Sequence, residues 1–126
     1  MMTIKEVSEL TGISIDNLRY YERIGLIPPV PRKENGIRDF DEMSLHWIDF
    51  AMKFKRAGMP LEAIIEYMRL ARLGDSTREA RKQILEEARD NIIRKINELQ
   101  KTLDFANYKI NDFYGDCSSE IDKLVK

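Results

Sequence analysis

The sequence predicts a mainly all-α fold: a winged helix-turn-helix with a small β-hairpin wing, followed by a long dimerising coiled-coil helix. Three observations carry that reading. Two short helical patterns are joined by a Gly-containing turn, an Asn-Gly pair sits in a basic stretch behind a proline cluster, and an apolar seven-residue repeat runs through the C-terminal part. The organisation expected is a domain over 1–74, a coiled-coil helix over 75–114 and a short tail over 115–126.

Thr3-Ile4-Lys5-Glu6 is a capping-box pattern, in which a Thr and a Glu three residues apart satisfy each other's exposed backbone donors. Ile4, Val7 and Leu10 then mark one apolar face of a helix over about 4–10. After Thr11-Gly12-Ile13, Ser14 supplies a fresh N-cap. Ile15, Leu18, Tyr21 and Ile24 recur at helical spacing until Gly25, which predicts a second helix over 15–24.

From Leu26 to Phe40 the helical period is lost. Pro28, Pro29 and Pro31 fix φ and remove backbone donors, so this path is extended. Arg32 to Arg38 reads as two short arms around Asn35-Gly36, the strongest short hairpin cue. Taken alone, the segment fits an ordinary surface loop better than a wing. Asp41 caps a third helix over 42–57, with Leu45, Ile48, Phe50, Met52 and Phe54 as apolar contacts and Trp47 as an anchor. Gly58 ends it. Pro60, tolerated in a first turn, opens a fourth helix over 60–73, whose buried stripe is Ile64, Ile65, Met68 and Leu73.

Beyond Gly74 the composition shifts to helix formers. Leu85 leads into Ile92, Ile96, Leu99, Leu103, Ala106, Ile110 and Phe113, which alternate steps of four and three from Ile92 onward. A helix over 76–112 would reach about 55 Å at 1.5 Å per residue. No other segment is long enough to cover such a stripe, so a second copy of the chain is its natural partner; the alternative is a stripe folded back onto its own domain. Arg89 falls on the seam where an apolar residue is expected and weakens its start.

Composition limits the function. The chain has 126 residues, with 21 Lys and Arg against 22 Asp and Glu, for a net charge of −1. The two signs are equal in number over 1–73, so any phosphate-binding surface must be a local cluster on one face. No window approaches the roughly 18–20 apolar residues of a membrane span. Lys5, Glu6 and Glu9 stand where a signal peptide would be apolar, so a cytoplasmic location is expected. Cys117 is the single cysteine, which excludes an internal disulfide and an all-cysteine metal cage within one chain. His46, the single histidine, lies beside Trp47 in an apolar helix and reads as structural. With no Cys/His pairing, Gly-rich phosphate loop or HExxH spacing, neither an enzyme nor a metal or cofactor site is expected.

The run Leu18-Arg19-Tyr20-Tyr21-Glu22-Arg23-Ile24-Gly25-Leu26-Ile27-Pro28 resembles the second-helix signature of the MerR family of bacterial transcription regulators. Gly36-Ile37-Arg38-Asp39-Phe40 is similar to that family's wing, with Ile37 where many members carry Tyr. Lys55 before Gly58 and the Pro60-Leu61 start fit as well. The likeness covers residues 3–73 closely, and the long helix matches the family's dimerisation element in kind. It implies a short form without a separate ligand domain: a homodimer on an antiparallel coiled coil, binding two half-sites of a pseudo-palindromic promoter site in double-stranded DNA. It also implies bending and untwisting of the promoter spacer when a small effector, here unidentified, arrives, so that RNA polymerase is reached through the DNA.

The residue chemistry agrees with this. Ser14, Asp16 and Asn17 lie in the first turn of the second helix, the end that enters a major groove. Asn pairs bidentately with adenine, which makes Asn17 the base-reading candidate, with helix capping as its alternative. Arg19, Tyr20, Arg23, Arg32, Lys33, Arg38 and Lys55 can donate to phosphate oxygens, and the resemblance adds Tyr21. Core packing is the alternative for Tyr21, and a pair with Glu22 or Asp39 is the alternative for Arg23. The competing function class is a dimeric helical adaptor or antagonist that does not touch DNA, which the neutral net charge favours. Cys117 reads as an incidental surface thiol, and the alternative is a redox or electrophile sensor.

Overall fold

A computed structural model of the chain describes residues 1–113 and 116–125, without side chains over 116–120. It comprises two compact units, residues 1–88 and 89–126.

In the first unit, α1 (Ile4–Thr11) begins at the capping box, both halves of which form. Thr3 N donates to Glu6 Oε1 at 3.0 Å and Glu6 N donates to Thr3 Oγ1 at 3.2 Å. Helix α2 (Ile15–Ile24) starts at Ser14 and stops at Gly25, whose φ of 84° is left-handed. Helix α3 (Glu42–Arg56) is capped by Asp41, which accepts from Ser44 N at 2.7 Å and from Ser44 Oγ at 2.8 Å. Helix α4 (Leu61–Leu73) follows Pro60 with no side-chain cap, as suits a residue that itself lacks an N–H.

These helices close on one core. Val7 of α1, Leu18 and Tyr21 of α2, Ile48, Ala51 and Met52 of α3, and Ile64 and Met68 of α4 are buried together with Leu26, Ile27, Val30 and Phe40 of the intervening segment. Phe50 stacks on Tyr67 with ring centres 4.7 Å apart, which ties α3 to α4. Leu10 and Leu73, placed on buried faces by their spacing, are instead 65% and 61% exposed. Both lie in the final turns of their helices, where the chain turns away from the core.

The segment expected to be a hairpin wing holds no extended strand among the described residues. Arg32 and Arg38 form a single antiparallel bridge, with Lys33 N to Ile37 O and Asp39 N to Pro31 O both at 2.8 Å. A second bridge joins Met2 to Phe40 through two bonds of 2.9 Å, a pairing that the sequence did not signal. The turn also differs in kind. Gly36 N donates to Lys33 O at 2.8 Å, which makes Glu34 and Asn35 the central pair. Gly36 follows with φ of 84°, and among the described residues none other than glycine has positive φ. Asn35-Gly36 is therefore not the type I′ pair that the cue usually marks.

After Gly74 a single 3-10 turn, Asp75–Thr77, leads into α5 (Arg78–Asn111). Thr77 Oγ1 lies 2.7 Å from the carbonyl oxygens of both Leu70 and Gly74, and accepts from Arg81 Nε at 3.0 Å. Ala88 is buried and Leu85 half-buried, and both fall within the first unit, ahead of the repeat that starts at Ile92.

The second unit is the rest of α5 and a further helix, α6 (Asp116–Val125), within the stretch expected as a short tail. No helix among the described residues is long and apolar enough to cross a membrane.

Candidate nucleic-acid interface

On α2, Asp16, Arg19, Tyr20 and Arg23 stand at i, i+3, i+4 and i+7, so they share one stripe, and all four are exposed. Asn17 lies beside that stripe in the first turn. Leu18 and Tyr21 occupy the opposite, buried face. Amphipathic spacing thus fixes which side chains of α2 are available to a ligand.

Ser14 holds the N-cap, its Oγ accepting from Asn17 N at 3.1 Å. The cap uses one lone pair of this hydroxyl and leaves its O–H able to donate, so Ser14 starts the helix and stays exposed. It also removes capping as the explanation of Asn17, whose exposed side chain is left pointing at solvent from the helix start.

Arg19 Nη1 is 3.8 Å from Asp16 Oδ1, and their side chains are 55% and 96% exposed. Such a pair contributes about 0–1 kcal/mol, so a phosphate competes for Arg19 at little cost. Arg23 lies over the Tyr20 ring, 5.3 Å from its centre, and not against Glu22 or Asp39. Tyr21, offered as a phosphate ligand, is 8% exposed and packs in the core, which is the alternative considered for it. Lys55, exposed in the last turn of α3, holds its ammonium 5.6 Å from the centre of the Tyr21 ring.

The basic loop is organised by a residue that sequence reasoning did not single out. Glu22 Oε2 accepts from Val30 N at 2.6 Å, while Oε1 accepts from Arg38 Nε at 2.6 Å and lies 3.9 Å from Arg32 Nη2. Arg32 Nη1 also donates to Gly36 O at 2.8 Å. Arg38 is thus tied to Glu22 with its side chain 21% exposed, whereas Arg32, although it donates to Gly36 O, keeps 47% of its side chain exposed. Lys33 remains as an exposed cation of the loop. The available signal was a carboxylate four residues after buried Leu18, at the edge of the core face and followed by a basic segment.

His46 sets its ring edgewise to Trp47 at 5.1 Å, consistent with a packing role. Among the described residues no group of three or more His, Cys, Asp or Glu side chains could hold a metal ion. Cys117 falls in α6, but its side chain lies outside the described residues.

Two family models match this chain: the MerR family regulatory protein model over residues 3–40 and the MerR DNA-binding model over residues 45–105. The chain belongs to the MerR family. As a MerR protein it is a helix-turn-helix, DNA-binding transcription regulator and not an enzyme. It is 50% identical to the HTH-type transcriptional regulator AdhR of Bacillus subtilis over 73% of this chain and 66% of that one. A crystal structure of a MerR family regulator from Listeria monocytogenes superposes with a TM-score of 0.87 at 41% identity, covering 98% of this chain and 94% of the other. HiNmlR, a MerR family regulator lacking the sensor domain and crystallised on promoter DNA, gives a TM-score of 0.82 at 34% identity, with 89% of each chain covered.

Proposed function

We propose that this MerR protein binds a pseudo-palindromic promoter site as a homodimer, placing one α2 in the major groove of each half-site. The observation that carries the reading is the exposed stripe of α2, with Asn17 open at its start and Arg19 only loosely held by Asp16. Asn17 reads a base, while Arg19, Tyr20, Arg23, Lys33 and Lys55 meet phosphates. Asp16 is suited to accept from a cytosine amino group.

Dimerisation rests on α5, where Ile96, Leu99, Leu103 and Ile110 are all exposed on one repeat that Phe113 continues just past the helix end, more apolar surface than an isolated helix leaves in water. Ile92 and Ala106 complete the seam. A dimer that rearranges can bend and untwist the promoter spacer, since deforming DNA costs a few kcal/mol that added backbone contacts offset. RNA polymerase then responds through the promoter DNA, in the cytoplasm, when a small effector binds.

The test is binding to the duplex upstream of the chain's own gene, followed by fluorescence anisotropy across a range of salt concentrations. Affinity should fall steeply with salt and exceed that for random duplex. Arg19→Ala should weaken binding to every sequence and reduce the slope of log K against log salt by about 0.9 per half-site. Asn17→Ala should change base preference at one position per half-site. Binding that ignores salt and sequence would favour an adaptor that does not touch DNA.

A further inference from the structure

We propose that Arg38 is not a phosphate ligand but a positioning residue, one half of a latch with Glu22 that fixes the 31–39 loop against α2 and so presents Lys33 to the DNA backbone. The inference rests on the DNA-binding reading above and adds to it a division of labour among the loop cations.

The geometry separates Arg38 from the other basic residues. Its Nε lies 2.6 Å from Glu22 Oε1, and the two side chains are only 21% and 12% exposed. Arg19, by contrast, stands 3.8 Å from a nearly free carboxylate. Withdrawing Arg38 to a phosphate would leave a mostly buried carboxylate short of its closest cation, and breaking a buried pair costs far more than breaking an exposed one. The same carboxylate accepts from Val30 N, immediately before the loop. Glu22 therefore holds α2 to both the entry of the loop and its returning arm.

Inside the loop, the bonds Lys33 N to Ile37 O and Asp39 N to Pro31 O flank the Arg32–Arg38 bridge. An isolated two-stranded ribbon this short is not stable in water. The latch supplies the missing anchorage from outside the ribbon. Lys33 sits within the loop so held with its side chain exposed, beside Arg32, which is half-exposed but tied to Gly36 O.

Amide hydrogen exchange on the DNA-free protein, paired with salt-dependent anisotropy, tests this with Arg38→Gln and Glu22→Gln. Both variants should exchange the Lys33 and Asp39 amides about tenfold faster while α4 amides keep their protection, reflecting the loss of one charged hydrogen bond. Both should bind the promoter about tenfold more weakly at an unchanged salt slope, and the double variant should be no weaker than either single one. Lys33→Gln should lower the slope by about 0.9 per half-site.

A slope reduced by Arg38→Gln, with loop exchange unaltered, makes Arg38 a phosphate ligand and overturns the latch. So does tighter binding by Glu22→Gln, because removing that carboxylate would then have released a cation to the DNA. Wild-type protein that shows no salt-dependent duplex binding overturns the DNA-binding reading itself, and is told apart by needing no variant.

Discussion

Lys55 and Tyr21 meet through a cation–π contact of 5.6 Å, which joins the last turn of α3 to the buried side of α2. The ring is in the core and the ammonium is at the surface, so one side chain both packs and offers charge. Lys55→Met keeps the stem and removes only the charge. It should leave the melting temperature nearly unchanged and reduce the salt slope of promoter binding by about 0.9 per half-site, as read by anisotropy. An unaltered slope would leave Lys55 a packing residue.

The seam of α5 should be the dimer interface. Leu99 is 68% exposed in the single chain, and Leu103 follows it on the same stripe. Replacing both with Asp forces charges into the interface at a cost of several kcal/mol. Sedimentation velocity should show the wild type as a dimer and the double variant as a monomer with its helix content in the first unit retained.

Asp41 links α3 to pH. The Ser44 backbone N–H, followed by the Ser44 hydroxyl, holds its carboxyl below the ordinary aspartate value of 3.8. A depressed folded-state pKa contributes stability that is complete above the unfolded value and lost as pH falls through the folded one. The melting temperature of Asp41→Ala should therefore lie furthest below wild type near neutral pH. The gap should narrow as pH falls below about 4. A gap that stays constant into acid would assign the cap to geometry alone.

Gly74 sets the turn into α5 at φ 91° and ψ −159°, a region essentially closed to residues with a Cβ. A Cβ there would meet nothing within 4 Å, so strain alone decides the effect of Gly74→Ala. The strain is about 1–3 kcal/mol. Thermal unfolding followed by circular dichroism should drop by several degrees, since roughly 1 kcal/mol shifts a domain of this size by about 4–8 °C.

Local chemistry determined much of this protein before any packing was known. The Thr3–Glu6 box, the Ser14 and Asp41 caps and the Gly12 and Gly25 stops depend on residues within a few positions of each other; α1 and α2 start and end, and α3 starts, where these signals stand. The outer stripe of α2 and the repeat of α5 were likewise legible, because helical spacing alone assigns residues to faces. Tertiary structure decided which polar groups are available. Arg38, Arg32 and Glu22 are up to sixteen positions apart, and whether an arginine faces solvent or a carboxylate depends on how the 28–40 segment folds back on α2. Tyr21 turned on the same question: it lies on a stripe shared by core and surface candidates, and only its packed neighbours settle which side it joins. The Met2–Phe40 bridge pairs two residues that no periodicity relates, so it arises only once the core has brought the chain's start beside the end of the loop.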